Sequence, residues 1–292
     1  MFRSVSAFAL AALLTAPAVA ADYNDDYGMR PAYPDTWEEE NSISIELGLR
    51  YWYSRGQHNM TVVGDSYSSQ DTSHIGETHF RIEDSLTRTY LKGNLGLSGV
   101  TNGTYNTPGS GGLETQMSGG RIYYTGLDFG YTPFGSEGTS FGGFAGYQYW
   151  NDSPDMGRIN YGVNSEVNNI EYHMLKLGVS VKAQLTDQID ISAELAAVPF
   201  AALRGTYGAF DSPIAPQESP GSISGWLYGA TGEVMLGYHP TDNLVIRGGA
   251  RAWYLTGPAK MDWQANGGGW VSNTATYSTA RYGLLAEISM KF

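Results

Sequence analysis

The sequence predicts an all-β chain, a ten-stranded antiparallel β-barrel that spans a membrane. Three observations carry this expectation. Apolar and polar residues alternate over segments of strand length. Short and long connections alternate strictly between those segments. The charges within the segments fall almost wholly on one face.

Composition narrows the field first. The chain has 292 residues, with 38 Gly, 21 Tyr, 7 Trp and no Cys, and a formal charge of −12. That length fits one large β-domain or two average domains. Abundant Gly and aromatics with few charges exclude a coiled coil. The absence of Cys excludes a disulfide scaffold and any thiol-based site. An acidic chain has no basic excess to neutralise phosphates, so nucleic acid is not an expected partner. Outside the N-terminus no run of ~18 apolar residues is found, which argues against a helical membrane protein.

Residues 1–20 read as a secretory signal. Arg3 is the positive n-region, residues 5–14 form a short apolar stretch, and Ala18-Val19-Ala20 is a small-x-small cleavage site. Residues 21–41 carry Asp22, Asp25, Asp26, Asp35, Glu38, Glu39 and Glu40 with Pro31 and Pro34, and lack periodicity. They are expected to form an acidic, flexible periplasmic arm. Residues 42–292 are the expected barrel.

Within it, Ile43, Ile45, Leu47, Leu49, Tyr51 and Tyr53 share one face, and Ser44, Glu46, Gly48, Arg50, Trp52 and Ser54 the other. The same reading gives strands at about 43–54, 76–83, 88–98, 121–132, 139–150, 171–183, 189–203, 223–237, 243–256 and 277–292. The second is the weakest pattern, and an eight-stranded barrel with 76–98 in one loop is the alternative. Short connections at 84–87, 133–138, 184–188 and 238–242 alternate with long ones at 55–75, 99–120, 151–170, 204–222 and 257–276. Short periplasmic turns and long external loops are the outer-membrane pattern, and they put both termini in the periplasm.

The charges separate a membrane barrel from a soluble sandwich. The face of Glu46 and Arg50 also carries Arg81, Glu83, Arg88, Lys92, Asp128, Lys176, Lys182, Asp190, Glu194, Glu233, Arg247, Arg251, Arg281, Glu287 and Lys291. The opposite face carries only Arg121 and Glu171. An Arg or Lys facing lipid at the midplane costs ~2–4 kcal/mol, so the apolar face meets lipid and the charged face lines a lumen. Tyrosines near strand ends (Tyr51, Tyr53, Tyr147, Tyr149, Tyr238) suit interfacial girdles.

The segments 49–54 (LRYWYS), 141–150 (FGGFAGYQYW), 248–253 (GGARAW) and 282–292 (YGLLAEISMKF) resemble uncharacterised outer-membrane β-barrel proteins of alphaproteobacteria. More distantly, ten strands with five external loops resemble the omptin outer-membrane proteases. That resemblance implies an Asp pair near the second loop and an Asp-His pair near the fourth. Here 99–120 contains no Asp, only Glu114, and 204–222 contains Asp211 but no His. The omptin catalytic residues are lacking, so the resemblance is one of layout.

Three upward strands place a polar residue and a Trp two apart, on the luminal face: Arg50 and Trp52, Gln148 and Trp150, Arg251 and Trp253. They are candidates for a collar near the external mouth that binds a solute by stacking, cation–π contact and carboxylate or phosphate recognition. The other reading is packing that fills a narrow barrel. Luminal bases outnumber the luminal acids on these strands. Such a set makes either an ion-paired, occluded core or a thin channel with slight anion preference. Glu171 and His173 lie outward near an external strand end. Lipid A deacylases use a His and an acid there with a Ser, and no Ser neighbours this pair. His58, His74, His79 and His239 are scattered without metal-ligand spacing. The Gly runs at 109–112 and 267–269 have no helix to follow and read as loop tips.

The expected function is therefore a non-enzymatic outer-membrane barrel, structural or ligand-contacting through its external loops. A small-solute channel is the alternative, and an outer-membrane hydrolase a further one. No catalytic residue, metal or cofactor is assigned. Expected partners are outer-membrane lipid and lipopolysaccharide, the barrel assembly machinery, and a small solute or surface ligand.

Overall fold

The computed structural model describes residues 42–292 apart from 63, 107–113, 118, 137, 156–167, 208–220 and 265–267. The expected signal, the acidic arm and the Gly run at 109–112 lie outside the described residues.

The strands are β1 (Ile43–Val62), β2 (Asp65–Asp84), β3 (Thr89–Asn106), β4 (Glu114–Met117), β5 (Gly119–Phe134), β6 (Thr139–Asp155), β7 (Asn168–Thr186), β8 (Ile189–Tyr207), β9 (Gly221–Thr241), β10 (Leu244–Gln264) and β11 (Trp270–Lys291). Each pairs antiparallel with its neighbours, and β1–β11 together with β2–β3 close the ring. β4 pairs only the outer end of β3, while β3 also pairs β5 below it. The ring therefore has ten strands, and the eight-stranded alternative falls. The segment 76–98 holds the turn-side parts of two strands, β2 and β3, joined by a turn. Its signal was weak because the side of β2 away from the lumen carries Thr78, Gly76 and His74 among its apolar residues.

Turns at the periplasmic end are short, as expected. In the β2–β3 turn the Thr87 hydroxyl donates to Asp84 Oδ2 at 2.8 Å and the Leu86 amide to Oδ1 at 3.0 Å. The Thr87 hydroxyl and that amide hold the Asp84 carboxyl below the usual carboxylate range. Arg88 takes a left-handed φ of 55° there and donates to Pro133 O at 2.6 Å. It ties two turns together at the rim and is exposed, so it is not the luminal cation expected from alternation.

The long external loops require correction. Strands continue far into them: β1 and β2 stay paired up to Val62 and Asp65, and β10 and β11 up to Gln264 and Trp270. The reason is a change of solvent along one strand. On β1 the outward residues are Ile43, Ile45, Leu47, Leu49, Tyr51 and Tyr53, then Arg55, Gln57, Asn59 and Thr61. That apolar run matches the 9–11 residues a tilted strand needs to cross a bilayer. Above it the outward face becomes polar, and the inward face changes from Glu46 and Arg50 to Met60 and Val62. β10 and β11 change in the same way, with Lys260 and Asp262 outside Met261 and Trp263, and Thr274 and Thr276 outside Ala275. Two alternations of opposite phase share each of these three strands.

Candidate functional site

The lumen is filled in strata. The lowest is ionic. Arg50 Nη1 lies 3.1 Å from Glu77 Oε1 and 3.3 Å from Glu233 Oε1, and its Nε donates to Glu287. Arg251 holds Glu77 Oε2 at 2.7 Å and Glu233 Oε2 at 2.6 Å. Arg247 bonds Glu46 and also Glu287 Oε1, the latter at 2.6 Å. Lys92 on β3 reaches Glu194 on β8 at 2.6 Å, and Lys176 on β7 reaches Asp128 on β5 at 2.7 Å. Arg50–Glu233, Arg251–Glu77, Arg247–Glu46, Lys92–Glu194 and Lys176–Asp128 join non-adjacent strands, while Arg50–Glu77, Arg50–Glu287, Arg251–Glu233 and Arg247–Glu287 link neighbouring ones. A buried charge is tolerable when paired and hydrogen-bonded, and these are. Within this layer the space left is small, cavities of about 60 Å³ and 40 Å³ with room for a few waters each, while below it the turn end opens into a mouth of about 610 Å³ lined by Ser44, Glu83, Tyr90 and Ser140.

The next stratum is aromatic. Trp52, Trp150 and Trp253 are buried and meet across the lumen. Trp52 and Trp150 pack edge to face at 5.9 Å, as do Trp150 and Trp253 at 5.3 Å. Tyr124 stacks on Trp150 at 4.3 Å, and the Arg251 guanidinium lies 5.1 Å from the Trp52 ring. Gly283 makes room for Trp52, whose Nε1 would stand 2.9 Å from any Cβ there. Five of the six collar candidates (Arg50, Trp52, Trp150, Arg251, Trp253) therefore converge. Gln148 is half-buried and lines the smaller cavity beside Trp253. The rings contact one another rather than framing a slot. Because the strands continue upward, this layer sits within the barrel and not at its external mouth.

Above it lies a second polar layer. Arg281 Nη2 bridges Asp71 Oδ1 at 2.9 Å and Asp152 Oδ2 at 3.0 Å, and Nη1 donates to Asp71 Oδ2 at 2.9 Å. His58 Nε2 lies 3.3 Å from Asp152 Oδ2, and its Nδ1 meets Tyr277 Oη at 2.8 Å. The outermost stratum is apolar: Met60, Val62, Ile170, Leu203, Ile223, Leu255, Met261 and Trp263 form one buried cluster with the layers below.

Three acids of these layers, Glu77, Asp71 and Asp152, escaped the sequence reading. Asp71 and Asp152 lie in segments read as loop, and Glu77 on the weakest strand. For Asp71 and Glu77 the signal that could have found them is the period-two run Ser69, Asp71, Ser73, Ile75, Glu77, His79, all buried. With these acids counted and Arg88 moved to the rim, the luminal basic surplus disappears. The ground for anion preference goes with it.

Two histidines read as scattered also join clusters. Glu46, His79 and Glu287 lie together, as do His58, Asp71 and Asp152. In each, a guanidinium already bonds both carboxylates, Arg247 in the first and Arg281 in the second. The donor set is that of an arginine-locked pair, and a divalent ion would compete with the guanidinium for the same oxygens. His173 faces outward and its Nδ1 meets Tyr147 Oη at 2.6 Å. His74 makes the same contact with Tyr51 Oη at 2.5 Å. Both belong to the tyrosine girdle. Glu171 is half-buried, 3.5 Å from Asn151 Nδ2.

No protein-family model and no curated protein sequence matches the chain. Among solved structures, the outer membrane protease OmpT from Escherichia coli is similar with a TM-score of 0.61 and 9% identity, over 86% of this chain and 96% of that one. The translocator domain of the autotransporter NalP from Neisseria meningitidis aligns at 0.36 and 14% identity, over 84% and 88%. The Pseudomonas putida toluene transporter TodX aligns at 0.30 and 10%, over 86% and 90%. The likeness to OmpT is one of fold. With a ten-strand ring, an apolar outer band and tyrosine girdles, this chain is a β-barrel of the bacterial outer membrane.

Proposed function

We propose that this chain is a non-conducting, non-enzymatic outer-membrane barrel that braces the envelope and meets its ligands at the external end. One observation carries the reading: four strata of side chains fill the lumen. An open pore needs a continuous wet path, and here the aromatic layer and the apolar outer cluster interrupt it. A hydrolase needs a solvent-reachable acid or base, and the His58–Asp152 pair is buried beneath that outer cluster. The collar residues act as packing, with Arg50 and Arg251 cross-linking strands through Glu77 and Glu233. Residues 1–20 direct export, and the barrel assembly machinery inserts the product.

The test is single-channel recording of refolded mature protein in a planar bilayer. The expected result is a silent, folded protein, shown to be inserted by its heat-modifiable mobility. Steady, step-like conductance would overturn the reading and make the lumen a solute path.

A further inference from the structure

The outer wall is not uniform. Across β9, β10, β11 and β1 it carries a largely apolar groove of about 680 Å³, lined on the outer face by Gly232, Val234, Ala252, Leu284, Tyr53 and Arg55, and bordered also by Glu194, Glu233 and Arg251 of the ionic layer. The register explains it. Ala250 pairs with Leu284 and Val234, and Ala252 with Tyr282 and Gly232. Small residues on β9 and β10 thus form a floor between larger ones on either side. The notch is open: a Cβ built at Gly232 would meet Glu194 O and Leu195 Cδ1 at 3.6 Å, ordinary contact. The groove ends at Arg55, the first outward cation above the apolar run of β1. Arg55 is exposed, and no carboxylate pairs with it among the described residues. Lys260, higher on the same outer face, is by contrast paired with Asp262 at 3.0 Å.

We infer that this groove seats one anionic, phosphorylated lipid of the external leaflet. Its acyl chain lies along Ala250, Ala252 and Gly232, and its phosphate on the Arg55 guanidinium. Hydrocarbon is what faces this wall in the outer membrane. An unpaired guanidinium at headgroup height selects a lipid whose head is negative, and it recognises phosphate with directed N–H bonds. The side chains that hold the lipid, Ala250, Ala252 and Arg55, all point outward, so the seat stands whether or not the lumen conducts.

Native mass spectrometry tests it, on full-length mature barrel refolded in neutral detergent with equimolar dimyristoyl phosphatidylglycerol and dimyristoyl phosphatidylcholine. Their chains are identical and only the heads differ. The expected result is one retained lipid, with the anionic one favoured roughly five-fold, the worth of one Arg at an anionic surface. Arg55→Gln should equalise the two lipids while still retaining one. The double variant Gly232→Leu, Ala252→Leu fills the groove with apolar groups that lipid tolerates. It should keep its heat-modifiable mobility and lose retention of both. No retained lipid in the wild type, equal retention of the two heads, or retention unchanged in the filled variant would overturn the inference. So would a wild-type dimer that the filled variant abolishes, which would assign the groove to a second copy of this chain.

Discussion

The membrane half and the external half of this barrel are built from the same ten strands and follow opposite rules. In the membrane half, Leu47, Leu284 and Ile288 point out while Glu46, Arg50 and Glu287 point in. In the external half, Gln57, Asn59 and Thr276 point out while Met60, Val62 and Ala275 point in. The backbone does not change between them. What changes is the solvent: hydrocarbon outside the first half, water outside the second. Each half puts its apolar groups where water is absent and its polar groups on the other face. The membrane half satisfies its inward polar face with ion pairs, and the external half leaves its polar face to water around Met60, Val62 and Ala275, which rest on the Arg281–Asp71–Asp152 layer.

The strongest way to break this division is to leave a luminal charge unpaired. Arg251→Met leaves Glu77 and Glu233 to share Arg50, one carboxylate in excess, and should cost about 3–5 kcal/mol, read as a lower urea midpoint for unfolding in detergent micelles. Adding Glu77→Gln alone should restore most of that loss, because it removes the one carboxylate in excess and leaves Arg50 with Glu233 and Glu287. Trp150→Ala removes the ring that touches Trp52, Trp253 and Tyr124, and should lose a similar ~3–5 kcal/mol. If the three tryptophans bound a solute and packed little, stability would hardly move.

A pair of substitutions on β11 sharpens the contrast. Ala286→Arg puts a cation against lipid near the midplane and should cost ~2–4 kcal/mol in the same assay. Thr276→Arg makes the same kind of change ten residues up an outward face and should stay within about 0.5 kcal/mol. Equal costs at the two positions would mean that the outer face does not change solvent between them.

The division also explains which parts of the fold were legible. The membrane half of β1 is a clean alternation that ends at Tyr53, and the strand was read to stop at Ser54. It does not stop. Arg55 and Gln57 follow outward, Met60 and Val62 follow inward, and a reader tracking apolar-out alternation sees the pattern dissolve where it inverts. The collar residues Arg50, Trp52, Trp150, Arg251 and Trp253 were found because they lie on strands with strong periodicity. Glu77, which Arg50 and Arg251 hold, and Asp71, which Arg281 holds, were not, because on β2 the outward Thr78, Gly76, His74, Thr72 and Gln70 give no apolar phase to follow. Contacts such as Lys92 to Glu194 depend on how strands face each other across the lumen, which periodicity along one strand does not encode.

The most direct measurement is a spin-label accessibility scan along the outward positions of β11, from Ser272 to Met290. The chain has no cysteine, so single Cys variants place each label uniquely. Collision with oxygen reports hydrocarbon, and collision with a water-soluble nickel chelate reports water. The expected profile is water-favoured from Ser272 to Ser278 and hydrocarbon-favoured from Tyr282 to Ile288, with one crossover near Ala280. A profile that favours hydrocarbon up to Ser272, or water throughout, would contradict the two-solvent barrel.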